Sequence, residues 1–315
     1  MSCTAGGMQA DRVAYAAGLH DRALTTVDKL NPDSQWRLDL ARSVAPEYLS
    51  QPGVAAVAVC GSVARGWADR HSDIELTVWW HRAPTPAERA ACVHRVAGLS
   101  QRRGHLTNPD VEDFAVCGVK FDVAHPTVDG QDHIVSCVVD GHDTSEVSQV
   151  AVADVMSAIP IHGGELLGRW RRRADPYPEG LARAMVEANL KFGPNAWVER
   201  LTERDDLLPL AEISVTAVKQ VFGVLLGLNR IYHPGNKWMD RTLASMKVCP
   251  LEIPIRMRAV LASPARARVA ELKRLIEHTI RLVEQELPDV DTAPVRARVH
   301  SAARVWDRPS PRSHA

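Results

Sequence analysis

Residues 54 to 60 read Val-Ala-Ala-Val-Ala-Val-Cys and stop abruptly at Gly61-Ser62. An apolar run of that length without polar alternation has the character of a buried strand, and a Gly-Ser pair at its end marks a sharp turn. Further on, Asp73-Ile74-Glu75-Leu76-Thr77-Val78 alternates. Side chains on a strand point to opposite faces in turn, so Asp73 and Glu75 share one face while Ile74 and Leu76 pack behind them. Two carboxylates on one face are donors for a hard divalent cation. The same alternation also suits an edge strand with one wet face.

A helix beginning at Val63 to Trp67 presents backbone N–H groups and the Ser62 hydroxyl at its positive end, where phosphate oxygens fit. A third carboxylate comes from Gly118 to His125, Gly-Val-Lys-Phe-Asp-Val-Ala-His. There Val119, Phe121 and Val123 share one face and Lys120, Asp122 and Ala124 the other. Asp122 is the best candidate, with a solvated edge-strand residue as the plainer reading. Asp110 and Asp113 compete with it, but Asn-Pro-Asp-Val-Glu-Asp looks more like turn chemistry than strand.

The order of strand, Gly-Ser turn, short helix and strand with Asp-x-Glu resembles the nucleotidyltransferase superfamily that includes DNA polymerase β. Cys60-Gly61-Ser62 followed by Asp73-Ile74-Glu75-Leu76 matches its signature, and Arg65-Gly66 and Ser72 look like the antibiotic nucleotidyltransferases. The resemblance reaches no further than about residue 125. It implies an α/β (α+β) fold with a polymerase β-like core and a mixed sheet. It also implies magnesium, two ions expected, held by Asp73, Glu75 and Asp122, the last as metal ligand or general base. Gly61, Ser62 and nearby amides then hold the β- and γ-phosphates of a nucleoside triphosphate, and Arg65 adds charge. The implied reaction moves a nucleoside monophosphate, from ATP or another triphosphate, to a hydroxyl of a small antibiotic or natural-product-like molecule. Alternatives are a tRNA or protein acceptor, as in toxin and antitoxin members, or a nucleotide-binding module without turnover.

The chain has 315 residues, more than such a core needs. We expect a nucleotidyltransferase domain over 1–128, a mainly helical domain over 129–306 and a disordered tail over 307–315, with residues 1–12 also disordered. Lys plus Arg and Asp plus Glu are 38 each, which argues against a partner that demands broad phosphate contact such as nucleic acid. No apolar stretch is expected to approach the roughly 20 residues that cross a bilayer, so no membrane partner is expected. The first residues lack a secretory pattern, so a cytoplasmic location is expected. The six cysteines show no C-x-x-C pair and read as reduced thiols.

Helical spacing is expected from about Gln35 to Pro46, with Trp36, Leu40 and Val44 on one face and Asp33 or Ser34 as cap. It recurs over Ala87–Arg102, Val147–Ile159, Gly164–Arg173, Pro178–Phe192, Ile213–Leu228 and Val269–Glu286. Asn229-Arg230-Ile231-Tyr232-His233-Pro234-Gly235-Asn236-Lys237-Trp238 resembles a segment of the helical half of small-molecule nucleotidyltransferase-like proteins. That resemblance implies that Lys237 contacts the triphosphate and that Asn229 and Arg230 orient it or cap the helix. Asp205 and Asp206 read as a capping pair, or as carboxylates for a cationic acceptor. Arg169 to Arg173 is the most concentrated basic run and reads as a solvated helix end.

Overall fold

A computed structural model of the protein describes residues 30–97, 103–104 and 111–304. The expected tails and Asp110 lie outside the described residues. The chain divides into two units, residues 1–133 with 154–172 and residues 134–153 with 173–315.

Helix α1 (Pro32–Leu49) opens the described part of the first unit. Its cap is Asn31, one turn before the expected start: Oδ1 accepts from the Ser34 N–H at 2.7 Å, while Nδ2 donates to the Ala68 carbonyl at 2.8 Å. The helix runs through Pro46, contrary to expectation. The proline removes one N–H bond near the end, and Ala45 before it and Tyr48 after it are fully buried. The buried face is Leu38, Ala41, Val44, Ala45 and Tyr48, whereas Trp36, expected on it, is 42% exposed.

Strand β1 (Val54–Val59) follows, as expected, and then α2 (Gly61–Ala64), a single turn that starts at Gly61 rather than Val63. The later elements are β2 (Ile74–Trp80), α3 (Pro86–Ala97), β3 (Arg103–Gly104), β4 (Val111–Val116), β5 (Val119–Ala124) and β6 (Ile159–His162). The sheet order is β3-β4-β5-β2-β1-β6. Only the β2–β5 pair is parallel, so the sheet is mixed. One face carries Val57, Val59, Ile74, Leu76, Val78, Phe121 and Val123 into the core beneath α1.

Two strands depart from the expectation. Val111–Val116, whose first three residues read as turn, is β4, and its alternation is hidden because a buried glutamate holds a core position. The Glu112 carboxylate lies 3.7 Å from Arg89 Nε and 3.4 Å from His125 Nε2. Trp80 Nε1 donates to His125 Nδ1 at 3.2 Å, which leaves the ring proton on Nε2, toward Glu112. The other, β6, contains Pro160, tolerated because the strand is at the sheet edge.

The remaining helices are α4 (Val128–Val139), α5 (Glu146–Ser157), α6 (Gly164–Ala174), α7 (Glu179–Asn189), α8 (Asn195–Glu203), α9 (Leu207–Asn229), α10 (Met239–Ser245), α11 (Ile253–Ala262), α12 (Ala265–Glu286) and α13 (Ala293–Val299). In the second unit α9 packs on α7 and α12. At Gly227 a Cβ would sit 2.9 Å from the Ala182 carbonyl, so glycine permits the close approach of α7. By length and composition α9 could cross a membrane, with a mean hydropathy of 1.4, which corrects the expectation that no stretch is long enough. Its apolar window is 61% buried inside the protein, as in a core helix.

Replacing Glu112 by Ala leaves Arg89 and His125 facing each other without the anion. The expected loss is about 3 kcal/mol, the usual scale for breaking a buried charge cluster, read as a lower urea midpoint with an unchanged slope.

Candidate active site

The face of the sheet away from α1 carries a transverse row of acids. In the parallel register Glu75 pairs with Asp122, and in the antiparallel register Asp122 pairs with Asp113. The Cys60 N–H donates to the Glu75 carbonyl at 2.8 Å, so the row ends at the Gly61-Ser62 turn. Asp73 stands one residue before β2 and Asp122 within β5, so the sheet brings the three expected carboxylates together. Asp113 joins the same row, which the turn reading did not foresee. Its Oδ1 is buried and has no hydrogen-bond partner among the described residues.

Gly61 has φ of 61°, in the left-handed region, and a Cβ built there would fall inside the Glu75 carboxylate. A glycine is therefore required twice, for the backbone conformation and for the space that Glu75 fills. Ser62 is buried and follows at once. Cys60 is held on the same side, with its thiol 3.3 Å from the Thr77 hydroxyl. Burial, with the nearby Asp154 and Glu75 charges, pushes that thiol well above its ordinary range.

The loop leading to Asp73 is fixed by α1. Arg37, 2% exposed, donates from Nε to the Ser72 carbonyl at 2.9 Å and from Nη1 to the Asp33 carbonyl at 2.9 Å. The Ser72 hydroxyl accepts from the Asp69 N–H at 3.0 Å, and the buried Ser34 hydroxyl accepts from the Ala68 N–H at 3.2 Å.

Lys120 enters the row from β5. Its Nζ is 2.8 Å from Asp122 Oδ2 and 3.7 Å from Asp73 Oδ2. Burial works against its charge, but the hydrogen bond to Asp122 and the charges of Asp122, Asp73 and Asp113 outweigh that, and its pKa is raised. The Asp122 pKa is also raised: burial and the adjoining Asp73 carboxylate push it up against the pull of Lys120.

Arg65 is anchored rather than solvated, its guanidinium 3.0 Å from Asp154 and its side chain 12% exposed. Burial raises the Asp154 pKa to about 6, with Arg65 lowering it and Glu75 raising it. Asp154 comes from α5, a segment that sequence spacing marked only as helical.

Among the described residues no group of three His, Cys, Asp or Glu side chains is gathered at metal-binding spacing. The donors nevertheless suit magnesium, which prefers oxygen ligands and is commonly held by one or two carboxylates while phosphates and water complete its shell. The buried Asp113 Oδ1 and the Glu75 carboxylate seated over Gly61 supply such oxygens. A cavity of about 450 Å³ shares Asp73 and Lys120 with the acidic row and is otherwise lined by residues such as Asp33, Trp36, Arg37 and Arg70. Trp36, expected in the core, thus lines a pocket.

Of the sequence-marked residues of the second unit, Asn229 and Arg230 serve its own fold. Asn229 donates to the Leu225 and Val248 carbonyls and accepts from the Lys247 and Val248 N–H groups. Arg230 ends α9 in the left-handed conformation and pairs with Glu179 at 2.8 Å. These are the capping roles. Asp206 is the N-cap position of α9 but makes no side-chain cap bond, and Lys237 is exposed. In the basic run, Arg169 pairs with Asp132 and Arg173 with Asp140, while Arg171 Nε donates to the Val155 carbonyl.

A family described as a domain of unknown function (DUF4037) matches residues 145–239, which include the Asn229 to Trp238 segment. Among solved structures, the chain is similar to a nucleotidyltransferase-like protein from Exiguobacterium sibiricum 255-15, at 11% identity and a TM-score of 0.36, over 79% of this chain and 77% of that one. No curated protein matches the chain.

Replacing Gly61 by Ala displaces the Glu75 carboxylate. If these carboxylates hold a divalent ion, its affinity, read with manganese, should fall by about 10- to 100-fold, as when a supporting contact of a metal ligand is lost. Gly118 also has positive φ, 79°, but a Cβ there meets nothing within 4 Å. Gly118→Ala should lower the melting temperature through the same backbone strain and leave manganese affinity unchanged.

A pH series tests Asp154. An unfolded aspartate loses its proton near pH 4, whereas Asp154 in the folded chain keeps it to about 6. The folded state thus binds more protons in that window, and stability falls as pH rises through it. Against Asp154→Asn, the wild type should lose ~1 kcal/mol between pH 4 and 7 in urea titrations. That is below the roughly 3 kcal/mol of a fully desolvated group with this shift, because the side chain is 33% exposed.

Proposed function

We propose that the first unit transfers a nucleoside monophosphate from a nucleoside triphosphate, ATP being the first donor to test, to a hydroxyl of a small molecule. The observation that carries this is the in-register placement of Glu75 beside Asp122, with Asp73 adjoining and the row ending on Gly61-Ser62. Hard oxygen donors next to a glycine-serine turn are what triphosphate chemistry requires.

In the reaction an acceptor oxygen bonds to the α-phosphorus, the bond to the pyrophosphate oxygen breaks, and the acceptor proton must leave. Asp122, with its pKa raised, takes that proton on its carboxylate. Asp73 and Glu75 would hold magnesium, which when bound supplies charge to the phosphate oxygens. The Ser62 hydroxyl and the amides of the turn hold the β- and γ-phosphates, and Arg65, kept in place by Asp154, adds positive charge beside them. The acceptor enters the cavity beside Asp73 and Lys120, whose volume suits a small molecule. An antibiotic or natural-product-like alcohol is the class to screen. These roles use residues of the first unit alone, and the expected role of Lys237 forms no part of them.

Incubation with magnesium, α-labelled triphosphates and a panel of hydroxylated small molecules should yield a labelled adduct and pyrophosphate in equal amounts. Asp122→Asn should reduce the rate by about 10²- to 10⁴-fold, the usual share of a general base, and Asp73→Asn should abolish the metal dependence. Undiminished turnover by both variants would sink the assignment.

A further inference from the structure

The register that sets Glu75 beside Asp122 also brings Asp73 level with Lys120. Adjacent strands therefore carry a four-cornered group in which Lys120 is the one cation. Lys120 Nζ stands 2.7 Å from Asp122 Oδ1, 2.8 Å from Asp122 Oδ2 and 3.7 Å from Asp73 Oδ2. Two-ion phosphoryl-transfer sites place their ions roughly 3.5 to 4 Å apart and have them share carboxylates. Here both oxygens of Asp122 already face an ammonium. A second divalent ion on the same oxygens would meet that positive charge at contact distance, and in a half-buried setting the repulsion is several-fold larger than in water. The Lys120 stem starts from a residue paired with Ala115 on β4 and Asp73 on the other side, so it needs no unusual reach.

We propose that Lys120 is the second cation of this site. One divalent ion, held from the Glu75 side, works with a fixed ammonium that spans Asp122 and Asp73 and offsets charge on the attacking oxygen. The proposal rests on the nucleotidyltransferase reading and replaces the pair of ions that the resemblance implies with one ion and one lysine.

The test counts ions. The full-length protein, with a non-hydrolysable triphosphate, is titrated with manganese, and bound metal is read from the loss of the free-ion electron paramagnetic resonance signal. The wild type and Lys120→Arg should hold one ion per protein–nucleotide complex, and Lys120→Met should hold two. Turnover by the Met variant should then change from first- to second-order in manganese. Two ions in the wild type would overturn the proposal while leaving the nucleotidyltransferase reading intact. One ion in the Met variant would also overturn it, because Lys120 would not be what excludes the second. If neither triphosphate nor manganese is retained by the wild type, the underlying reading fails and the proposal with it. Lys120 is 47% exposed, so the Met variant is expected to fold, and the wild-type and Arg counts decide the matter if it does not.

Discussion

The parallel pairing of β2 with β5 is the constraint from which the candidate site follows. Sliding β5 by one residue would turn Asp122 into the core and bring Phe121 to the acidic face, since side chains alternate along a strand. That slip is blocked on the core side, where Ile74, Leu76, Phe121 and Val123 are almost fully buried. Each such side chain contributes about 1.5–3 kcal/mol on burial, and four of them together outweigh the repulsion among the half-buried acids. The hydrophobic face thus fixes where the charges stand, and the charges need no mutual attraction to be gathered.

Gathering them still requires local concessions. Glu75 lies over the turn only because residue 61 has no side chain, and the turn exists only because residue 61 can take positive φ. Asp73 lies just outside the strand. Its place is set through Arg37, whose buried guanidinium ties the Ser72 carbonyl to the first turn of α1. Asn31 closes the same arrangement by capping α1 and binding the Ala68 carbonyl. The helix that supplies the core face therefore also sets the loop that supplies a carboxylate.

Much of this was legible in the sequence. The apolar run before Gly61, the alternation from Ile74 through Glu75 and Leu76, and the Lys120, Asp122, Ala124 face all appear in the strands where the pattern put them, with Asp73 one residue short of its strand. The failures have physical causes. Strand β4 escaped notice because Glu112 occupies a core position within a buried polar network, which breaks the apolar alternation that marks a strand. Asp113 was lost with it. Strand β6 is four residues long and includes a proline, so its period is too short to read. Trp36 fell on the spacing of an apolar face, yet that spacing does not say which face meets the sheet. Asp154 and Arg65 are far apart in sequence, and no local pattern links an acid on a helix to an arginine after a turn. Lys120 was legible as a residue of the acidic face, but its bearing depends on the register with β2, which is a tertiary fact.

The position of Lys120 bears on how a crowd of like charges is tolerated. Four carboxylates, Asp73, Glu75, Asp113 and Asp122, share one side of three adjacent strands. Left alone, they would raise one another's pKa values and draw protons. The folded chain answers in two ways. At one end Lys120 draws Asp122 and Asp73 toward an internal cation. At the other, Arg65 faces Asp154 close to Glu75. The oxygens of the row face the same side as the Gly61-Ser62 turn, where an external cation that brings phosphates would add further positive charge. A site arranged in this way does not need to be a complete metal cage in the free protein, because the substrate supplies the remaining ligands. That is why side chains which do not form a closed metal cluster by themselves still make a coherent site for triphosphate chemistry.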